Sequence, residues 1–221
     1  MSATVSPEPQ NDSPALNLSN HFLIATPSVS GDLFEKSLVY ICQHNADGAL
    51  GLIVNKTTDI EMQDLFDQVK LPLPRLDLRP LPVLEGGPLF SERGFVLHER
   101  IRPIEITPPS VNSAEQGDGE EGVYASSLFI SQANLELTTS TDIMHAIANG
   151  GGPEQVLMTL GYASWGGGQL EEEIGANAWL VLHTASVADL LFYTDPEARY
   201  AKALQLLGMD EWMLSAGAGN A

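Results

Sequence analysis

Basic residues are scarce in this 221-residue chain: ten lysines and arginines stand against 29 aspartates and glutamates, a formal net charge of −19. Polynucleotide binding draws most of its non-specific affinity from cations that neutralise phosphates. The densest basic group, Arg93, Arg100 and Arg102, is interrupted by Glu99 and Glu105. Six acidic residues fall in an N-terminal tail and a later loop, and without them the rest still carries 13 net negative charges. Direct nucleic-acid binding is therefore not expected, and anionic membrane surfaces are disfavoured for the same reason. Long apolar runs are missing too, none approaching the roughly 20 residues that cross a bilayer. The first twenty residues have no basic stretch leading into an apolar one, so no secretory leader is read there. One cysteine, Cys42, excludes an internal disulfide and fits a reducing compartment. Cytoplasm is the expected location.

Catalytic signatures are also lacking. There is no G-x-G-x-x-G, no glycine loop closed by Lys-Ser/Thr, no H-E-x-x-H and no C-x-x-C. Ser164 has Gly166 two residues on but Tyr162 two residues before, so it fails as a nucleophile elbow. Cys42 and His44 share a strand face at i, i+2, which makes them a conceivable ligand pair, but no second pair supports them. The thiol reads better as inert packing. No catalytic constellation, metal site or cofactor is expected. The tryptophans Trp165, Trp179 and Trp212 read as packing residues.

What is present is a mixed set of short elements. Residues 1–19 read as a disordered Ser/Pro/Asn-rich tail, 20–221 as one domain, and 108–122 as a flexible acidic insertion within it. HFLIA (21–25), SLVYICQH (37–44) and ALGLIVN (49–55) read as strands. Asp47-Gly48 marks a hairpin between the last two, both apolar enough to be buried on both faces. Thr58 to Glu61 has the form of a capping box before a helix with Met62, Leu65, Phe66 and Val69 facing inward. Residues 71–82 hold too many prolines for regular structure. Strands are expected at 83–87, 93–98, 127–131, 155–165 and 178–183. Short helices are expected after Ser140 or Thr141 and around Leu170 and Ile174. A last helix capped by Asp195 should bury Ala201, Leu204 and Leu207. Hairpins mixed with single helices give an α+β single domain with a mainly antiparallel, curled mixed sheet and several packed helices.

The segment from Leu160 to Leu180, LGYASWGGGQLEEEIGANAWL, is the most conspicuous. Gly166-Gly167-Gly168 before a helix invites a phosphate-loop reading, but Glu171, Glu172 and Glu173 would repel a phosphate from that helix start. With Leu170 and Ile174 buried, Glu172 points away and Gln169 neighbours Glu173 at i+4. Gln169 and Glu173 can then form a polar pair beside Trp165, read first as a satisfied structural network.

HFLIATP (21–27), the run from Leu38 through GALGLIVN, EGGPLFSERGFVLH (85–98), the Leu160–Leu180 segment and DPEARYAKALQLLGMD (195–210) together resemble the YqgE/AlgH family. The resemblance runs from about Asn20 to the C-terminus, omitting the acidic insertion. It implies one α+β domain, no established catalytic residues, and the label of transcriptional regulator that some members carry. Ser164, Tyr200 and Asn220 depart from the family's usual glycine, tryptophan and histidine. The characteristic Gly86, Gly87, His98, Trp165, Gly166, Gly168, Gln169 and Glu173 are intact and form the candidate binding set.

The resulting expectation is a binding or regulatory protein that acts through a protein partner, with any influence on transcription indirect. The alternative is an enzyme or small-ligand binder using a pocket of the Gly86-Gly87 turn, His98 and the Trp165–Glu173 segment.

Overall fold

The apolar runs pair into one curled sheet in the computed structural model, which describes residues 16–29, 31, 33–101 and 123–217. The first 15 residues of the expected tail, the acidic loop at 108–122, Arg102 and Asn220 lie outside the described residues. Strand β1 (Phe22–Ala25) is flanked antiparallel by β2 (Leu38–Asn45) and by the last strand, β10 (Trp179–Leu182). β2 returns as β3 (Gly48–Ile53), which pairs with the end of the long β9 (Val156–Gly166). The earlier half of β9 carries β6 (Leu89–Glu99), then β8 (Leu135–Thr138) and β7 (Ser127–Ile130). β5 (Pro82–Glu85) lies parallel to β9, with β4 (Thr57–Glu61) antiparallel beside it. One parallel contact in an otherwise antiparallel sheet agrees with the fold class read from the sequence.

Both faces of the central strands are covered, which explains their continuous apolar composition. Alternation sends Phe22, Ile24, Leu38 and Tyr40 into a core closed by α4 (Val187–Phe192) and α5 (Pro196–Leu206). Leu23, Val39, Ile41 and Ile53 face the other way, toward Trp165, Trp179 and Leu170 of α3 (Gln169–Gly175). A third cluster packs Met62 and Phe66 of α1 (Met62–Gln68) and Ile143 and Ile147 of α2 (Asp142–Ala148) on Val83, Val96 and Val156. Among the described residues α6 (Glu211–Gly217) is the last element.

Several expectations need correction. The hairpin corner is Ala46-Asp47, not Asp47-Gly48. Asn45 pairs with Gly48, where a Cβ would stand 2.1 Å from the Trp165 carbonyl oxygen. The capping box moves three residues on: Glu61 is the N-cap and its amide donates to Asp64, while Thr58 sits in β4 and donates to the Val83 carbonyl. Pairing with β5 outcompetes an earlier helix start. Val69 is exposed, as is Ala201; besides the expected Leu204, α5 buries Arg199, Tyr200 and Ala203, and Leu207 packs partly on the core. Trp212 is also exposed rather than packed, whereas Trp165 and Trp179 are buried.

Candidate functional site

Three pieces of chain meet where β9 ends. Trp165 leaves β9 opposite Ala49, and the three glycines then turn the chain into α3. Gly168 holds the left-handed conformation at the helix N-cap, φ +80°. Gly167 lies so close to the β2–β3 hairpin that a Cβ there would be 2.6 Å from the Ala46 carbonyl oxygen. The hairpin therefore fixes the direction in which α3 departs. Leu170 is buried under α3, Glu172 points to solvent, and Gln169 and Glu173 share one face, as the 3.6-residue period requires.

The carboxylate of Glu173 gathers the neighbouring donors. Its Oε2 accepts the indole N–H of Trp165 at 2.9 Å and that of Trp179 at 2.8 Å. Its Oε1 accepts the Gln169 amide at 2.9 Å, and the Gln169 carbonyl oxygen in turn accepts the Gly166 N–H at 3.0 Å. The indoles stand nearly perpendicular, centroids 6.0 Å apart, and Phe34 meets Trp179 edge-on at 5.9 Å. Together they form an open groove of about 440 Å³, walled by Phe34, Pro88, Leu89 and the two tryptophans, with Gln169 and Glu173 in its lining. Every donor to the carboxylate is neutral, so the groove keeps a negative charge against aromatic walls. An oxygen of a carboxylate has two acceptor directions, and Oε1 uses one of them on Gln169. Such a surface suits a cation, whose charge the carboxylate and the ring faces both attract.

Of the candidate set, Trp165, Gly166, Gly168, Gln169 and Glu173 are brought together. Gly86 and Gly87 lie near them, delivering Pro88 and Leu89 to the groove wall. Their own backbone is pressed on β9: Gly86 donates to the Leu160 carbonyl at 2.8 Å, and a Cβ on Gly87 would be 2.2 Å from the Tyr162 carbonyl carbon. His98 does not join the group. It pairs with Val156, nine residues from Trp165 along β9, or about 30 Å at the usual strand rise. It is fully buried; Nδ1 donates to the Glu99 carbonyl at 2.8 Å, and Nε2 accepts the Thr138 hydroxyl at 2.9 Å. Burial pushes its pKa below the ordinary histidine value. His98 and Glu173 cannot act on one substrate atom.

The groove also holds residues the sequence did not single out. Trp179 is a second partner of Glu173, and its spacing from that residue carries no recognisable signal. Phe34, Ser28 and Val29 arrive from the loop between β1 and β2, reachable only through the fold. Ser164, which failed as a nucleophile elbow, is exposed on the groove wall. Cys42 is a core thiol whose pKa burial drives upward, and His44 accepts the Leu18 N–H on Nδ1 while Nε2 lies 3.0 Å from Glu171. Among the described residues no group of three or more His, Cys, Asp or Glu is placed to hold a metal ion. No helix among them is long and apolar enough to cross a membrane.

The family model described as AlgH-like matches residues 22–212. A UPF0301 protein of Polaromonas sp. is 49% identical over 210 residues, covering 95% of this chain and 98% of its own. Another from Paracidovorax citrulli is 46% identical over 213 residues, covering 95% and 99%. The solution structure of AlgH from Pseudomonas aeruginosa, 36% identical, superimposes with a TM-score of 0.65 over 96% of this chain and all of that one. A Corynebacterium diphtheriae protein, 17% identical, shares the fold at a TM-score of 0.59, over 96% of this chain and 94% of its own.

Proposed function

This chain belongs to the AlgH-like family, and on that premise we propose that it is a cytoplasmic binding protein that acts through a protein partner. The partner presents a basic side chain to the groove of Trp165, Trp179 and Glu173. The observation that carries this reading is the Glu173 carboxylate, immobilised by two indoles and an amide yet unopposed by any cation among the described residues. A latch for the two indoles alone needs one oxygen, which a neutral glutamine also supplies, although its NH2 would then face that of Gln169. A full negative charge in an aromatic groove adds attraction for a cation. The net charge of −19 steers basic partners toward the surface and repels polyanions. Any effect on transcription runs through the partner, not through contact with DNA.

The test compares partner recovery by the full chain, Glu173→Gln and Ser164→Arg. The first variant removes the charge while keeping an acceptor; the second sets a cation of its own beside the groove. A partner that crosslinks through a basic segment to the native protein, and is depleted with both folded variants, supports the reading. Equal recovery by all three would overturn it. The alternative, an enzyme or small-ligand binder using the Gly86-Gly87 turn and the Trp165–Glu173 segment, would act without His98, which lies about 30 Å away along β9.

A further inference from the structure

A second concavity, of about 500 Å³, lies between the connector around Asp77–Pro82, the start of β9 and the turn joining α4 to α5. It shares no lining residue with the Trp165–Glu173 groove. Its walls include Leu81, Met158 and Phe192, and Arg199 lines it while being only 6% exposed. The guanidinium has five N–H donors. Nε donates to the Thr194 carbonyl at 2.9 Å and one Nη1 hydrogen to the Val54 carbonyl. The remaining Nη1 hydrogen and both Nη2 hydrogens meet no acceptor among the described residues.

No carboxylate among the described residues comes within 4 Å of this cation, although the chain is rich in them. Burial pulls its pKa down to about 10, against the opposing pull of the Asp195 carboxylate, so it stays charged at neutral pH. Buried charges are ordinarily paired. The unused donors sit in the first turn of α5, an 11-residue helix whose positive end also faces the cleft. Asp195 occupies the N-cap without its carboxylate accepting a bond from that helix. Its exposed side chain, with those of Asp77 and Glu154, edges the cleft mouth. Asp77 is engaged by Arg75 and Asp195 acts in part on Arg199, which leaves Glu154 as the mouth carboxylate that opposes a ligand of high negative charge.

We infer that this cleft binds a small monoanionic carboxylate with an apolar body, its head in the planar fork of Arg199 and its body against Leu81, Met158 and Phe192. A carboxylate matches a guanidinium in two-point geometry. The apolar walls contribute affinity that inorganic anions cannot use, and the acidic mouth selects against phosphates. The volume falls within the range of small-molecule pockets.

Titration of the full-length protein with octanoate, octanamide and inorganic phosphate, read by Leu81 and Met158 methyl resonances, tests the assignment. Octanoate is expected to saturate these signals, with octanamide at least tenfold weaker and phosphate without effect. Leu81→Asp, at a partly exposed wall position, should weaken octanoate more than octanamide. Arg199→Met should bring the two ligands level. If that variant does not fold, Leu81→Asp and the acid–amide comparison still decide. An acetylated leucine dipeptide with a free or an amidated end separates the sources: tighter binding of its acid than of octanoate points to a chain terminus, the reverse to a free acid. Equal affinity of octanoate and octanamide, phosphate competing as well as octanoate, or no saturable shift at either methyl would overturn the proposal.

Discussion

Glu173 serves three donors with two oxygens, so its removal and its neutralisation should have different costs. Glu173→Ala leaves the indole N–H groups of Trp165 and Trp179 without acceptors in a buried setting. At 1–3 kcal/mol for each unmet buried donor, a loss of about 2–6 kcal/mol is expected in urea unfolding. Glu173→Gln keeps an oxygen for them but sets its NH2 against that of Gln169, and should cost about 1–2 kcal/mol, less than Glu173→Ala. The glycines divide similarly. Gly168→Ala meets no atom within 4 Å and costs only the left-handed backbone, about 1–2 kcal/mol. Gly87→Ala drives a Cβ into the β9 backbone and should cost roughly 3 kcal/mol or more. Comparing the unfolding midpoints of the two variants checks the contrast. His98 supplies a pH signature. Its folded pKa is lowered by burial, so below about 6.5 the unfolded chain binds the proton more readily than the native one. Its contribution to stability is full above that pH and falls as the solution is acidified toward the folded pKa. His98→Gln should flatten that part of the stability–pH curve.

Sequence patterns found the elements whose own period or composition was clear, and missed those defined by partners. The apolar strands β1, β2, β3 and β9 and the helix α3 were legible because burial on both faces, or one stripe, leaves a continuous mark. β8 was not, because LELT is only four residues and its Glu136 looks solvent-facing, although it is buried beside Arg100. α4 and α6 are one or two turns long and lack the spacing that distinguishes a helix from a loop. In α5 the expected stripe holds at Leu204 and, in part, at Leu207, while Arg199 and Tyr200 look like surface residues until their partners are known. Arg199 reaches the Val54 carbonyl, and the Tyr200 hydroxyl donates to the Ala25 carbonyl at 2.7 Å, tying the helix across β1 and the end of β3. Tyr200 is pushed up to about 12 by burial, so the phenol remains a donor at any ordinary pH. Tyr200→Phe should therefore cost about 1–2 kcal/mol in urea unfolding, with little change in fold.

Across the whole molecule, acidity and the groove act together. A net charge of −19 strains the compact state through self-repulsion, so the thermal midpoint should rise as sodium chloride is raised toward 0.5 M. The same screening should weaken a basic partner. Half of the candidate site was legible in sequence, since Gln169, Glu173 and Trp165 share one short segment. Trp179, Phe34, Pro88 and Leu89 join them only when the sheet brings β10, the β1–β2 loop and the Gly86-Gly87 corner to the end of β9. The most direct measurement is an NMR titration of the full chain with an arginine-containing peptide, following the indole N–H signals of Trp165 and Trp179. Saturable shifts of both, abolished by Glu173→Gln and weakened by salt, are the predicted result. Unmoved indoles, or identical shifts in the Glu173→Gln variant, would contradict a cation-binding groove.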